Sequence, residues 1–319
     1  MTISTDSSAP LIVVVGATGI QGGSVIDNLQ ASARSYRMRG ITRDSSKPKA
    51  KALADRGVEV ASCNLVVGNA AEIENAFRGA TYIFIVTNYW EHMDKDREEA
   101  EGKLMVDCAK AVGVKLLLVS SEPSATKASG GRLTKVYHFD SKAAISDYAR
   151  EVGVPFVDIH VGGYMNNYTT FMRPRPGGDG SYIIDGTWSE TAKIPLIDTA
   201  HDLGLFVQLA IESDEFNKGD GKVISAYGEW LDLTEQVRML GTVIGKKISY
   251  KKITEEESRT AMSKAGLPPH IIDDMSEMYK FHDTFWEATY IHSNRANLAR
   301  EPRTFKEYCQ NEDWSGVFN

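Results

Sequence analysis

"VVVGATGIQGG", residues Val13–Gly23, runs an apolar β-branched stretch straight into three glycines, Gly16, Gly19 and Gly22, spaced G-x-x-G-x-x-G. A short continuous apolar run ended by a turn reads as a buried strand. The following "GGSVIDNLQASA" reads as a helix. In that setting each glycine has a separate task. The first permits the tight turn, the second lets backbone approach a pyrophosphate, and the third lets helix and sheet pack closely while the helix N-terminus faces the anion. The stretch therefore predicts a dinucleotide-binding turn, with Gly16, Thr18, Gly19, Ile20, Gln21 and Gly22 as its candidate contacts.

Working outward, short apolar runs alternate with amphipathic ones. "RMRGIT" (37–42), "VEVASC" (58–63), "TYIFIV" (81–86), "KLLLVS" (115–120) and "PFVDIHV" (155–161) read as strands. Between them "KAKALADRG", "AAEIENAFRG", a long charged stretch over roughly 91–112 and another over about 138–152 read as helices. This alternation predicts βαβ units, hence an α/β fold: a Rossmann-type doubly wound parallel sheet. Past Gly163 the texture changes. "MRPRPGGDGSYIIDG" reads as a turn and short hairpin, 200–212 and 233–245 as helices, "KKISYKKI" as a strand and "MSEMYKFHDTFWEATY" as amphipathic helix. The expected division is a nucleotide-binding domain over 1–160, with 189–230 partly returning to it, and a smaller, mostly helical C-terminal lobe over 161–319.

Hydrophobic residues make up 42% and charged residues 25% of the 319, enough for a large buried core. A net charge of −7 argues against direct nucleic-acid binding, which needs a basic face. The N-terminus "MTISTDSSAP" has no apolar signal core and no apolar run approaches about 18 residues, so neither a membrane span nor export is expected. The expectation is a cytoplasmic or nuclear protein. Cys63, Cys108 and Cys309 are too scattered for a disulfide framework or a zinc site and read as buried thiols. No histidine pair has metal-ligand spacing, so no metal is expected. His201, beside Asp202, reads as a helix cap, and His282 and His292 fall on separate turns of the C-terminal region.

The second strand ends "GITRD". An NAD-selective site would place a carboxylate there to hold the ribose hydroxyls; here Arg43 arrives first, with Lys47 behind it. A guanidinium forms charge-assisted bonds to a 2′-phosphate, so NADP(H) is the expected cofactor, with Arg43 and Lys47 as its phosphate clamp. Asp44 is the competing reading.

The pieces "GATGIQGG", "FIVTNYWE", "EGKLMVDCAKAVGV", "HFDSKAAISDY" and "PLIDTAHDLG" together resemble the NmrA-like proteins, an atypical branch of the short-chain dehydrogenase/reductase superfamily. The likeness is strongest over about residues 10 to 170. It implies NADP(H) as ligand and either of two functions. Some members resemble reductases of secondary metabolism; others look like redox sensors that act through protein partners. By the same resemblance, Thr87, Asn88 and Tyr89 line the cofactor channel, Lys142 holds the nicotinamide ribose, and Gly163 and Tyr164, with Asn167 beyond them, follow the sixth strand past the nicotinamide. Ser120 or Ser121 falls where the superfamily has its serine, and Ser121 is the catalytic candidate. Asn64 stands near the adenine, where relatives usually carry aspartate.

"KVYHFDSKAA" (135–144) has histidine where the superfamily's proton-donating tyrosine usually stands. On a helix His138 and Lys142 lie about 40° apart and share a face, whereas Tyr137 is turned about 140° from Lys142 and cannot substitute. His138 is either an acid or electrophile, or a packing residue. A cationic iminium substrate would need no proton donor. It would also suit an aromatic pocket, for which Trp90, Tyr164, Tyr168, Trp188, Phe285 and Trp286 are candidates. The expectation is an NADP(H)-dependent oxidoreductase acting on a small-molecule substrate. The alternative is a cofactor-binding regulator without turnover, working through a protein partner.

Overall fold

The computed structural model describes residues 3–290, 295 and 297–318. His292 lies outside the described residues. Five βα units run through β1 (Leu11–Val15), α1 (Ile20–Ala31), β2 (Arg37–Thr42), α2 (Pro48–Asp55), β3 (Glu59–Ser62), α3 (Ala70–Phe77), β4 (Tyr82–Ile85), α4 (Tyr89–His92), α5 (Lys95–Ala111), β5 (Leu116–Ser121), α6 (Ala125–Ala128), α7 (Tyr137–Glu151) and β6 (Phe156–Val161).

β7 (Gly163–Tyr164), a 3-10 turn (Met165–Thr169), β8 (Arg175–Pro176), β9 (Tyr182–Gly186) and β10 (Lys193–Ile197) follow. After them come α8 (Thr199–Glu212), β11 (Asp220–Ala226), β12 (Glu229–Asp232), α9 (Leu233–Ile244) and β13 (Ile248–Lys252). The chain then continues through α10 (Glu255–Lys264), α11 (Pro269–Thr284), α12 (Trp286–Thr289) and α13 (Phe305–Asn311).

The main sheet has seven strands in the order β11-β6-β5-β4-β1-β2-β3, all parallel. β1, β4, β5 and β6 are buried along their whole length, because helices cover both faces; this is why these strands read as apolar runs rather than alternating ones. The strand order reverses between β1 and β4, which opens a crevice at the carboxyl edge. β11 pairs with β6, and α8 packs against α1, so part of the chain after residue 189 joins this sheet.

Above the crevice, α9 to α13 pack with two small sheets, β12-β10-β7 and β13-β9-β8, around a second apolar cluster that includes Tyr168, Trp188 and Phe281. The β8–β9 hairpin falls within "MRPRPGGDGSYIIDG", where the sequence predicts a turn and a short hairpin.

Two local expectations need correction. The long helix expected over 91–112 is broken. Met93 takes a left-handed backbone (φ 54°) that closes α4, and the Asp94 carboxylate then caps α5 by accepting from the Arg97 N–H at 3.1 Å. The cap of α8 is Asp198, not His201, whose ring instead bonds Asp202 at 2.6 Å.

Candidate functional site

One cleft of about 980 Å³ runs along the carboxyl edge of the main sheet and on beneath the lobe. Each of the first six strands hands its wall a residue at or just past its exit: Gly16 after β1, Arg43 after β2, Asn64 after β3, Thr87 after β4, Glu122 after β5 and Gly162 after β6. The first strand sets the turn. Gly16 sits at φ +64°, and a Cβ on Gly22 would lie 2.3 Å from the Gly16 carbonyl oxygen, so only glycine fits there. Gly19 gives α1 no side-chain cap and the first turn holds no acidic residue. Hence the first-turn N–H groups lack intrahelical acceptors, and Ile20, Gln21 and Gly22 line the cleft, which fits an anion. Gln21 also donates to the Tyr164 hydroxyl at 2.5 Å, tying α1 to β7.

The expected cofactor residues Gly16, Thr18, Gly19, Ile20, Gln21, Gly22, Arg43, Asn64, Thr87, Asn88, Tyr89, Lys142, Gly163, Tyr164 and Asn167 all line this cleft, as does His138. Arg43 stands at the rim with its side chain 70% exposed and paired to Glu91 of α4.

Two candidates are not brought in. Lys47 sits at the N-cap of α2, is 72% exposed, and its ammonium lies 3.8 Å from Asp44. Lys47 is not among the residues that line the cleft. Asp44, its rival, spends its carboxylate on the backbone and hydroxyl of Ser46. Ser121 is buried and, among the described residues, its hydroxyl reaches only the Glu122 carbonyl, at 3.4 Å. At the end of β5 it is Glu122, not Ser121 or Ser120, that lines the cleft. Sequence reasoning missed this carboxyl.

The face shared by His138 and Lys142 is built as expected, yet each side chain is already matched. Lys142 Nζ donates to Glu98 Oε1 at 2.5 Å, and the buried Glu98 also takes the Ser141 hydroxyl. His138 Nδ1 lies 2.5 Å from Oδ1 of the buried Asp274 on α11, whose other oxygen accepts the His138 backbone N–H at 3.2 Å. This arrangement leaves Nε2 as the imidazole atom free to meet a ligand. Trp90 and Tyr89 of α4 pack against the same ring, with centroids 5.0 and 5.8 Å away. No sequence spacing links residues 98, 142 and 274, so neither carboxylate could have been found without the fold.

Beyond His138 the cleft turns apolar. Trp188, Trp286, Met275, Met278 and Ile194 line it, together with Tyr164, Trp90 and His282. The other two aromatic candidates lie elsewhere. Tyr168 is core and donates to Gln236, and Phe285 lies under the Arg132 guanidinium. The buried Oε2 of Glu122 has no hydrogen-bond partner among the described residues. Burial pushes its carboxyl well above the usual carboxylate range, opposed by Lys142 and helped by Asp158. The site thus joins an anion-binding turn, a matched lysine and histidine, and a chamber of aromatic rings.

Residues 8–309 match the NmrA-like family. This chain belongs to that family. Among its relatives is an NmrA-like family domain-containing oxidoreductase, FrzB of Cladobotryum sp., 28% identical over 305 residues that cover 86% of this chain and 84% of the relative. Among solved structures it resembles NmrA, a negative transcriptional regulator, with a TM-score of 0.78 and 21% identity over 95% of each chain. It also resembles the triphenylmethane reductase of Citrobacter sp. complexed with NADP(H), with a TM-score of 0.73 and 20% identity over 94% of this chain and 99% of that one. Other crystals of NmrA hold NAD or NADP. At these identities the structural likeness concerns the fold. No helix among the described residues is long and apolar enough to cross a membrane.

Proposed function

We propose that this chain is an NADP(H)-dependent oxidoreductase acting on a carbonyl, imine or iminium group of an aromatic or polycyclic compound of secondary metabolism. The observation that carries the reading is the continuity of the cleft: the phosphate turn, the aromatic residues, Lys142 and His138 all line one space. When bound, a reduced nicotinamide supplies two electrons and a hydrogen to an electrophilic carbon.

The chain's own part is to hold and orient. The turn from Gly16 to Gly22 takes the pyrophosphate, Arg43 exchanges Glu91 for a 2′-phosphate, Asn64 meets the adenine and Lys142 the nicotinamide ribose. Thr87, Asn88, Tyr89, Gly163, Tyr164 and Asn167 enclose the far half. Trp188 and Trp286 offer ring faces to a planar substrate and shut out water, and His138 presents Nε2 to its polar atom while Asp274 fixes the ring.

A second reading, a redox-sensing regulator without turnover, draws on His138: the position usual for the proton-donating tyrosine holds an imidazole bound to a buried carboxylate. Calorimetry with NADPH and NADH, followed by NADPH consumption against carbonyl and iminium panels, separates the two. The reading expects tight NADPH binding that Arg43→Ala weakens by about 10- to 100-fold, the worth of a charge-assisted hydrogen-bonding pair, with NADH binding unchanged. Equal loss for both dinucleotides removes Arg43 from the phosphate site. Binding with no turnover of any panel member favours the regulator.

A further inference from the structure

We propose that Glu122 is the acid of this site: its carboxyl delivers the proton that a substrate oxygen or nitrogen takes up on reduction. This rests on the oxidoreductase reading above and supplies what His138 and Lys142 leave open.

The geometry comes first. Glu122 is the residue β5 hands to the cleft, between the exits of β4 and β6 and on the same wall as Lys142, His138 and Tyr164. The other polar groups there already have partners: the Lys142 ammonium has Glu98 and the His138 Nδ1 has Asp274, which leaves the histidine only Nε2 for a ligand. The Tyr164 phenol, pushed up to about 12 by burial, accepts from Gln21. His282, held well below the usual histidine range by burial, has no spare proton at neutral pH. Glu122 alone among these is a carboxyl, half-buried, and its Oε2 has no partner among the described residues.

The titratable groups that feel its charge are Lys142 on α7, Asp158 on β6, Tyr164 on β7 and Tyr290 just past α12. Lys142 is the one cation among them, and Glu98 already matches its charge. Desolvation therefore outweighs the lysine, and the carboxyl holds its proton more tightly than an ordinary glutamate does. A neutral carboxylic acid next to an apolar chamber is a hydrogen-bond donor aimed at whatever oxygen enters.

The step balances. As the substrate carbon gains its hydrogen and electron pair, the C=O π pair moves onto oxygen. That oxygen bonds the Glu122 proton, and the carboxylate left behind lies beside Lys142 until water at the cleft mouth reprotonates it. The nicotinamide is the group oxidised and the carbonyl the group reduced. A cationic iminium nitrogen becomes neutral on receiving its electron pair and needs no proton, so the acid matters for a carbonyl and not for such a cation.

The test uses the full chain and Glu122→Gln, which keeps the shape and loses the acidic proton. An infrared difference spectrum of the two proteins at pH 7 requires neither cofactor nor substrate. The C=O band of a protonated carboxyl is expected in the parent and absent from the variant; a parent showing only carboxylate overturns the proposal. With NADPH present, 2-naphthaldehyde reduction is expected to fall about 10²-fold in Glu122→Gln, N-methylacridinium reduction to stay unchanged, and Glu122→Asp to restore part of the aldehyde rate. Equal loss on both probes, or none on the aldehyde, overturns it.

Melting curves add a check that is independent of turnover. The unfolded chain releases this proton above about pH 4.3 while the fold retains it, so stability falls with rising pH in the parent relative to Glu122→Gln; parallel curves count against the proposal. A parent that binds no NADPH or reduces neither probe sinks the oxidoreductase reading instead, and the infrared band tells the two failures apart.

Discussion

Trp286 stacks on the imidazole of His282 with ring centres 3.7 Å apart, and Trp188 lies nearly parallel to the same ring at 6.2 Å. Neither ring nitrogen of His282 has a hydrogen-bond partner among the described residues. Burial, helped by His138, holds this imidazole well below the usual histidine range, so it is neutral at pH 7. Below about pH 6.5 the unfolded chain gains a proton here that the folded chain refuses. The unfolded state then binds more protons, and stability falls as pH drops. Denaturation midpoints measured from pH 7.5 to 5 should fall more steeply in the parent than in His282→Phe, by up to about 1.4 kcal/mol per pH unit for the one proton; parallel profiles would remove His282 from the account. Little of this was legible in the sequence, where His282 is one of several scattered histidines and Trp188 stands far away along the chain. Arg43 was legible, because a residue directly after a strand has one edge to occupy. Glu122 was not legible: at a strand's end, moving one residue along the chain changes the side it faces, and the cleft is lined by Glu122 rather than Ser121.

At the scale of elements, α5, α7 and α11 are joined by carboxylates under the cleft floor. Glu98 of α5 takes both Ser141 and Lys142 of α7, and Asp274 of α11 takes His138 of the same helix. The Lys142 and Glu98 side chains are 15% and 3% exposed, so each charge depends on the other for compensation. Removing one partner of such a pair leaves a buried charge unmatched, at a cost of about 3–5 kcal/mol, whereas replacing both with apolar residues of similar volume is close to neutral. Glu98→Ala is therefore expected to lower stability by about that amount in urea titration, and Glu98→Leu with Lys142→Met to recover most of it. A loss from Glu98→Ala below about 1 kcal/mol would show that Lys142 finds solvent instead. The strands and helices behind this floor were legible because βα alternation is written in local apolar runs. The break between α4 and α5 was not, since a charged stretch with helical residues throughout conceals one left-handed methionine. The small sheet β12-β10-β7 was hidden because short strands such as β7 and β12 take their meaning from partners in β10.

At the scale of the whole molecule, the cleft is lined from both the main sheet and the smaller C-terminal region. One wall comes from the strand exits of the main sheet and the other from β10, α11 and α12. The C-terminal segment fastens the two together. Arg300 and Arg303 reach Asp202 and Asp198 at the start of α8 at 2.6 and 3.0 Å, and the Phe305 N–H donates to Glu229 of β12 at 3.0 Å. A dinucleotide lying as proposed would touch both walls, so its effect on amide exchange should depend on how much of it is present. The fragment 2′-phospho-ADP-ribose should protect the first turn of α1 and the exits of β2 and β3 only. Full NADPH should extend protection to α4, the start of α7 and the turn at 165–169. At a free concentration 100 times its Kd it should also stabilise the fold by about 2.7 kcal/mol. If NADPH protects no more than the fragment does, its nicotinamide half lies outside the space between His138 and the tryptophans, and the proposed path from cofactor to substrate fails there.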